Sequence, residues 1–178
     1  MGTRLRPLRR SLRGGDGGAA LHVGDFGGHS TGGRGGSGGN VTVTADGDSS
    51  IATSGDRSAG ILARSVGGNA RTWDGGAPSD TRAADGGNAG LVSVTSGALI
   101  ATAGARSPGI LAASLGGHGS DGGGGTWGSG HPGGAGGTPD GVAIVHYGEI
   151  STRGADSPGI VAMVVGGSGG AGGASGAS

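Results

Sequence analysis

The chain has 178 residues, of which 51 are glycine and only four are aromatic, Phe26, Trp73, Trp127 and Tyr147. That composition excludes a globular core of mixed large side chains and leaves Ala, Val, Ile and Leu to build thin, uniform layers. Twelve Arg and no Lys balance the acidic residues to a net charge of +0, so no overall electrostatic footprint for nucleic acid or an acidic membrane exists.

No stretch approaches the ~18 apolar residues of a membrane-spanning helix. Cysteine is absent, which removes disulfides and thiolate metal sites and suits a chain that crosses a membrane unfolded. Residues 1–39 open with Arg4, Arg6, Arg9, Arg10 and Arg13 and then turn glycine-rich. No apolar run of ~7–15 residues follows the arginines, so they do not start a secretory signal. This region reads as disordered, or as the loop of a missing repeat.

From residue 40 onward one phrase occurs three times: SIATSGDRSAGILARSVGG from Ser50, LIATAGARSPGILAASLGG from Leu99 and EISTRGADSPGIVAMVVGG from Glu149. The repeats span 40–68, 91–117 and 142–167, with loops at 69–90 and 118–141 and a glycine-rich tail at 168–178. Fixed spacing of one phrase is the signature of a repeat architecture, in which stacked copies bury what one copy cannot.

Each copy predicts three strands. The first, from Val41, Leu91 and Val142, alternates apolar with small or polar residues in the period of a half-buried strand. The second places Ile51, Ile100 and Ile150 inward, with Thr53, Thr102 and Thr152 on the same parity. A turn follows at Gly55, Gly104 and Gly154, and a second glycine recurs at Gly60, Gly109 and Gly159; Ser-Pro-Gly at Ser107 and Ser157 fits a type II turn with positive φ on that glycine. The third strand points Ile61, Ile110 and Ile160 inward together with Ala63, Ala112 and Ala162. Val66, Leu115 and Val165 are apolar on the outer parity, which calls for a bulge or a covering loop.

Between the strand triplets lie 67–90 and 116–141, the second with fourteen glycines in 26 residues, where high backbone entropy and few side chains make a compact folded loop an unfavourable outcome. Trp73 and Trp127 lie in these runs and are singled out for loop contact with a partner. Gly-x-Ser-x-Gly occurs around Ser37 and Ser168, but without the strand-to-helix elbow that a serine nucleophile needs. Gly116-Gly117-His118-Gly119-Ser120-Asp121 matches part of a calcium-binding nonapeptide, yet a single degenerate copy builds no ion site. The five histidines, His22, His29, His118, His131 and His146, show no metal-ligand spacing. No catalytic residue, cofactor or metal is therefore expected, and the chain is not read as an enzyme.

Three inward ladders in register predict an all-β chain, a parallel β-solenoid of about three rungs with long glycine-rich loops and no barrel domain. Its abrupt start and stop within the repeat pattern lead us to expect further copies on either side. The phrase I-x-T-x-G-x-x-S-x-G-I-x-A, closed by Gly-Gly and recurring over residues 40–170, resembles the glycine-rich repeats of large autotransporter passenger regions in Gram-negative bacteria. The resemblance implies a right-handed parallel β-helix displayed at the cell surface or outer membrane, with adhesion to host or neighbouring-cell molecules as its function. Neither the signal peptide nor the outer-membrane barrel of that family is found in these residues. Two alternatives are the stalk of a passenger whose enzymatic part lies elsewhere, and a disordered glycine-rich protein.

Overall fold

A computed structural model of the chain describes residues 4–5, 8–16, 30–71, 81–125 and 129–176. These residues contain strands and no helix. In chain order the strands are β1 (Arg4–Leu5), β2 (Leu8–Arg13), β3 (Ser30–Thr31), β4 (Val41–Ala45), β5 (Ser50–Thr53), β6 (Ile61–Val66), β7 (Thr81–Arg82), β8 (Val92–Ser96), β9 (Leu99–Thr102), β10 (Ile110–Leu115), β11 (Val142–His146), β12 (Ile150–Thr152) and β13 (Ile160–Val165).

The strands sort into parallel sheets ordered β1-β5-β9-β12, β13-β10-β6-β2 and β11-β8-β4, with a short β3-β7 pair. Every strand of the three larger sheets pairs with its counterpart one repeat away. Ile51 lies opposite Ile100, which lies opposite Ile150, and Ala63, Ala112 and Ala162 form one row across the third sheet. The core is the space between the sheets, where Val41, Val92, Val94, Ile51, Ile61, Ile100 and Ile110 are buried. Each buried valine or isoleucine contributes about 1.5–3 kcal/mol relative to an exposed one.

β13 is an outer strand of its sheet, and its inward residues are correspondingly uncovered: Ile160 is 48% exposed where Ile61 and Ile110 are 0%. β6, β10 and β13 run straight through Val66, Leu115 and Val165 with continuous one-to-one pairing, so no bulge accommodates the outer apolar residues.

The amino-terminal residues differ from the disordered or loop segment expected for 1–39. β1 pairs with β5, and β2 pairs along its whole length with β6, Leu8 opposite Ile61 and Arg13 opposite Val66. These strands continue two of the sheets by one more row.

The glycine-rich runs differ more. Their described parts form ordered layers of extended backbone, joined by hydrogen bonds that recur every third residue. Gly119, Gly122 and Gly125 donate N–H groups to the carbonyls of Ser168, Ala171 and Ala174, and Gly32, Gly35 and Gly38 donate to Arg82, Asp85 and Asn88. Between runs, a line of bonds passes from Gly36 to Gly15, Gly68 to Gly36, Gly87 to Gly68, Gly117 to Gly87, Gly137 to Gly117 and Gly167 to Gly137. Three residues per turn is the period of the polyproline II helix, which has no internal hydrogen bonds and so directs all of its donors to neighbours. A Cβ on Gly117 would overlap the carbonyl of Gly68, and one on Gly167 the carbonyl of Gly117. Glycine is needed here for close approach, as at the axis of collagen, and the backbone bonds offset the entropy that argued against order.

Candidate functional site

The turn between the second and third strands is built by the recurring residues of the repeat. Inward Thr53 donates its hydroxyl to the carbonyl of Ser58 (2.7 Å), and Thr102 does the same to Ser107 (2.6 Å), closing the turn within one copy. Ser107 and Ser157 then tie copies together: each hydroxyl accepts the N–H of Ser58 or Ser107 in the preceding copy and donates to the carbonyl of Gly55 or Gly104. The serine of the phrase is a connector between copies. Its recurrence at Ser58, Ser107 and Ser157 was the available signal.

The positive φ of this turn does not fall on the second glycine. It falls three residues earlier, on Arg57 (54°), Arg106 (52°) and Asp156 (52°), and Gly141 is the only described glycine with positive φ. The type II reading of Ser-Pro-Gly is therefore replaced. Left-handed backbone at these residues lets Arg57 and Arg106 donate N–H groups to the carbonyls of Ala105 and Ala155 in the next copy. Gly60 and Gly109 are instead required by crowding. A Cβ on Gly60 would stand 2.5 Å from Ile100 Cγ2 and 2.8 Å from the Gly109 carbonyl oxygen. Gly104 and Gly154 lie as closely against the carbonyls of Gly55 and Gly104, whereas Gly55 faces only the Ser58 hydroxyl at 3.1 Å, and Gly159 has Ile150 Cγ2 at 3.8 Å.

Of the predicted inward residues, Ile51, Ile61, Ala63, Ile100, Thr102, Ile110 and Ala112 are buried, Thr53, Ile150 and Thr152 half-buried, and Ile160 and Ala162 exposed. Trp73 and Trp127, together with His22 and His29, lie outside the described residues.

A second set of side chains runs through the glycine layers. The carboxylate of Asp16 accepts the N–H of Asn69, the amide oxygen of Asn69 accepts the N–H of His118, and His118 Nδ1 accepts the N–H of Ser168 (3.1 Å). Asp85, Asn88 and Asp121 repeat the arrangement toward Ala135, Thr138 and Ala171. Donated backbone N–H groups stabilise the ionised form. The Asn69 N–H, with help from Arg13 and Arg71, holds the Asp16 carboxyl below its ordinary value of 3.8, and the Ala135 N–H together with Arg34 does so for Asp85.

Ser168 Oγ lies 2.7 Å from His118 Nδ1, inside a Gly-x-Ser-x-Gly stretch. The same ring nitrogen already accepts the Ser168 N–H, and no described carboxylate orients the ring. The pair is the last step of the Asp16, Asn69, His118, Ser168 series and has no oriented base for nucleophilic chemistry. Among the described residues no three His, Asp or Glu side chains converge on one point.

A recess that combines apolar and charged groups lies outside the core, where the turn stands beside the outer face of β6, β10 and β13. It is a groove of about 360 Å³. Leu62, Leu111 and Leu115 form its floor, Ala59 and Pro108 its wall, and Arg57, Arg64 and Arg106 its rim. Of the outer apolar residues that the sequence left without a role, Leu115 is part of this floor.

No protein-family model and no curated protein matches the chain. Among solved structures it is 21% identical, over 94% of its length and 96% of the other's, to an antifreeze protein of the springtail Granisotoma rainieri described as a bundle of nine polyproline type II helices. The TM-score is 0.16, too low for the likeness to carry an argument.

Proposed function

We propose that the chain is a non-catalytic structural segment: a right-handed parallel β-solenoid of about three rungs that serves as the shaft of a surface-exposed protein of the autotransporter passenger kind. Adhesion to host or neighbouring-cell molecules would be carried by the loops, with Trp73 and Trp127 as the proposed contacts. The observation that supports the reading is the pairing of every long strand with its own counterpart one copy away, at matching residues in three separate sheets. Such pairing makes length and stiffness additive in the number of copies, which is what a shaft requires. Side chains of all three larger sheets pack together in the interior.

The absence of cysteine makes a direct test simple. Spin labels at Ala52→Cys and Ala101→Cys, which are register partners on the outer face, should broaden each other's spectra strongly because adjacent strands lie about 4.8 Å apart. Labels at Ala52→Cys alone should give a narrow, mobile spectrum. Equal spectra would remove the solenoid reading. For adhesion, beads coated with the wild-type chain should bind epithelial or bacterial cells more than beads coated with the Trp73→Ala/Trp127→Ala variant; equal binding ends the adhesive part of the proposal.

A further inference from the structure

We propose that the groove beside the turn binds a long-chain carboxylate, with the hydrocarbon on Leu62, Leu111 and Leu115 and the carboxylate at Arg57 and Arg106. Three observations converge on it. The outer face of β4 and β8 is polar, with Thr42, Thr44, Ser93 and Thr95 pointing outward, whereas the outer face of β6 and β10 carries leucine at both Leu62 and Leu111. A solenoid core is complete without those leucines, and apolar side chains gathered in one outward recess mark a contact site.

The charge is equally selective. Arg13, Arg34 and Arg71 are in ion pairs with Asp16 or Asp85, while Arg57, Arg64 and Arg106 have no ion pair among the described residues. Asp56, the sequence neighbour of Arg57, is engaged by the N–H of Ala105 at 2.8 Å. Guanidinium groups match a carboxylate in geometry and charge. Arg57 and Arg106 also occupy left-handed backbone, which costs an L-residue about 1–2 kcal/mol; the third copy, with Asp156 at this position, ends the cationic row.

The groove's volume falls in the range of small-molecule sites, about 300–1,000 Å³. Occupants other than a carboxylate are distinguished by head group. An uncharged amphiphile would gain only the floor, and a cationic one would be repelled by the rim.

Isothermal titration of the full chain with dodecanoate below its micelle concentration tests the site. Dodecanoate should bind saturably at one per chain. Dodecanol and dodecyltrimethylammonium should bind at least tenfold more weakly, and raising NaCl from 20 to 200 mM should weaken dodecanoate severalfold, since exposed charges are screened. Arg57→Asn/Arg106→Asn removes the charge while keeping a residue that tolerates left-handed backbone, and should weaken binding at least tenfold with an unchanged circular dichroism spectrum. Should that variant lose its fold, Arg64→Gln, which leaves the turn intact, is expected to weaken binding severalfold. Absence of saturable binding, equal binding of dodecanol, or full binding by a folded Arg57→Asn/Arg106→Asn or Arg64→Gln variant would overturn the assignment.

Discussion

At the scale of single residues, crowding and not backbone freedom decides which glycines of the phrase are irreplaceable. Gly60→Ala inserts a methyl group between Ile100 Cγ2 and the Gly109 carbonyl, and neither can retreat because both belong to the packed next copy. Overpacking of this kind costs about 1–3 kcal/mol. Gly55→Ala meets only the tip of the Ser58 side chain, and its cost should stay under about 1 kcal/mol; denaturant melts of the two variants compare them directly, and equal losses would contradict the crowding argument. His146 is a second residue-scale case. It occupies the inward position held by Ala45 and Ser96 in the other copies, and both ring nitrogens are buried without a partner. An unsatisfied buried polar atom costs about 1–3 kcal/mol. Replacing the ring by serine, as in Ser96, where the hydroxyl accepts the N–H of Ala98, should raise the thermal midpoint; a fall would show that ring packing outweighs the unpaired nitrogens.

At the scale of elements, the glycine runs stand or fall by their three-residue period. Gly166 and Gly167 are adjacent, yet a Cβ on Gly166 has only the Gly137 oxygen at 3.9 Å, while one on Gly167 overlaps the Gly117 carbonyl. Gly166→Ala should therefore be neutral or stabilising by up to about 1 kcal/mol through the unfolded chain, and Gly167→Ala should destabilise by about 2 kcal/mol or more. Equal behaviour in urea melts would argue against the layered arrangement. The carboxylates of these runs set a pH limit. Asp16 and Asp85 have folded-state pKa values held below the ordinary 3.8, first by donated N–H groups and then by arginines. Folding thus favours their ionised forms. That stability is fully present above about pH 4 and is lost as pH falls through the folded values. The thermal midpoint should drop as pH falls below about 4, and Asp16→Asn/Asp85→Asn should flatten the drop; an unchanged slope in the variant would assign acid sensitivity to other groups.

These elements also show what was readable beforehand. The strand triplets were legible because Ile51-x-Thr53 and Ile61-x-Ala63 alternate with period two and recur in every copy. The period-three layers were not, because glycine carries no side chain whose alternation reveals a face, and with 51 glycines the inward Gly117, Ser120, Gly123 row is lost among its neighbours. β2 was hidden for the opposite reason. Its arginines mask the pairing of Leu8 with Ile61, although Gly14-Gly15 after it, like Gly67-Gly68, marked the same strand end. At the groove, Leu115 was visible as an anomaly of parity. Arg57 and Arg106 were not, since the expected turn put its special backbone at Gly60 and Gly109.

At the scale of the whole molecule, pairing between like residues makes register more important than length. Partners in successive copies lie about 50 residues apart in sequence, as with Asp121 and Ala171, so removing residues 91–140 joins Gly90 to Gly141 and brings β4, β5 and β6 opposite β11, β12 and β13 with every inward residue still facing inward. Nearest-neighbour stability then loses one copy and its two interfaces but gains one new interface. The shortened chain should fold, with the same β-type dichroism per residue and a thermal midpoint lower by about 5–10 °C. Inserting one alanine between Ala112 and Ala113 is a far smaller change in mass and should do more harm. It reverses the parity of the rest of β10, sending Ser114 away from its bond to the Gly90 carbonyl and driving Leu115 into the place of Gly116, where even a Cβ would overlap the Gly137 carbonyl. Both a lost buried hydrogen bond and overpacking follow, for a combined cost of about 3 kcal/mol or more. If the insertion proves milder than the fifty-residue deletion, register between copies is not what holds this chain together.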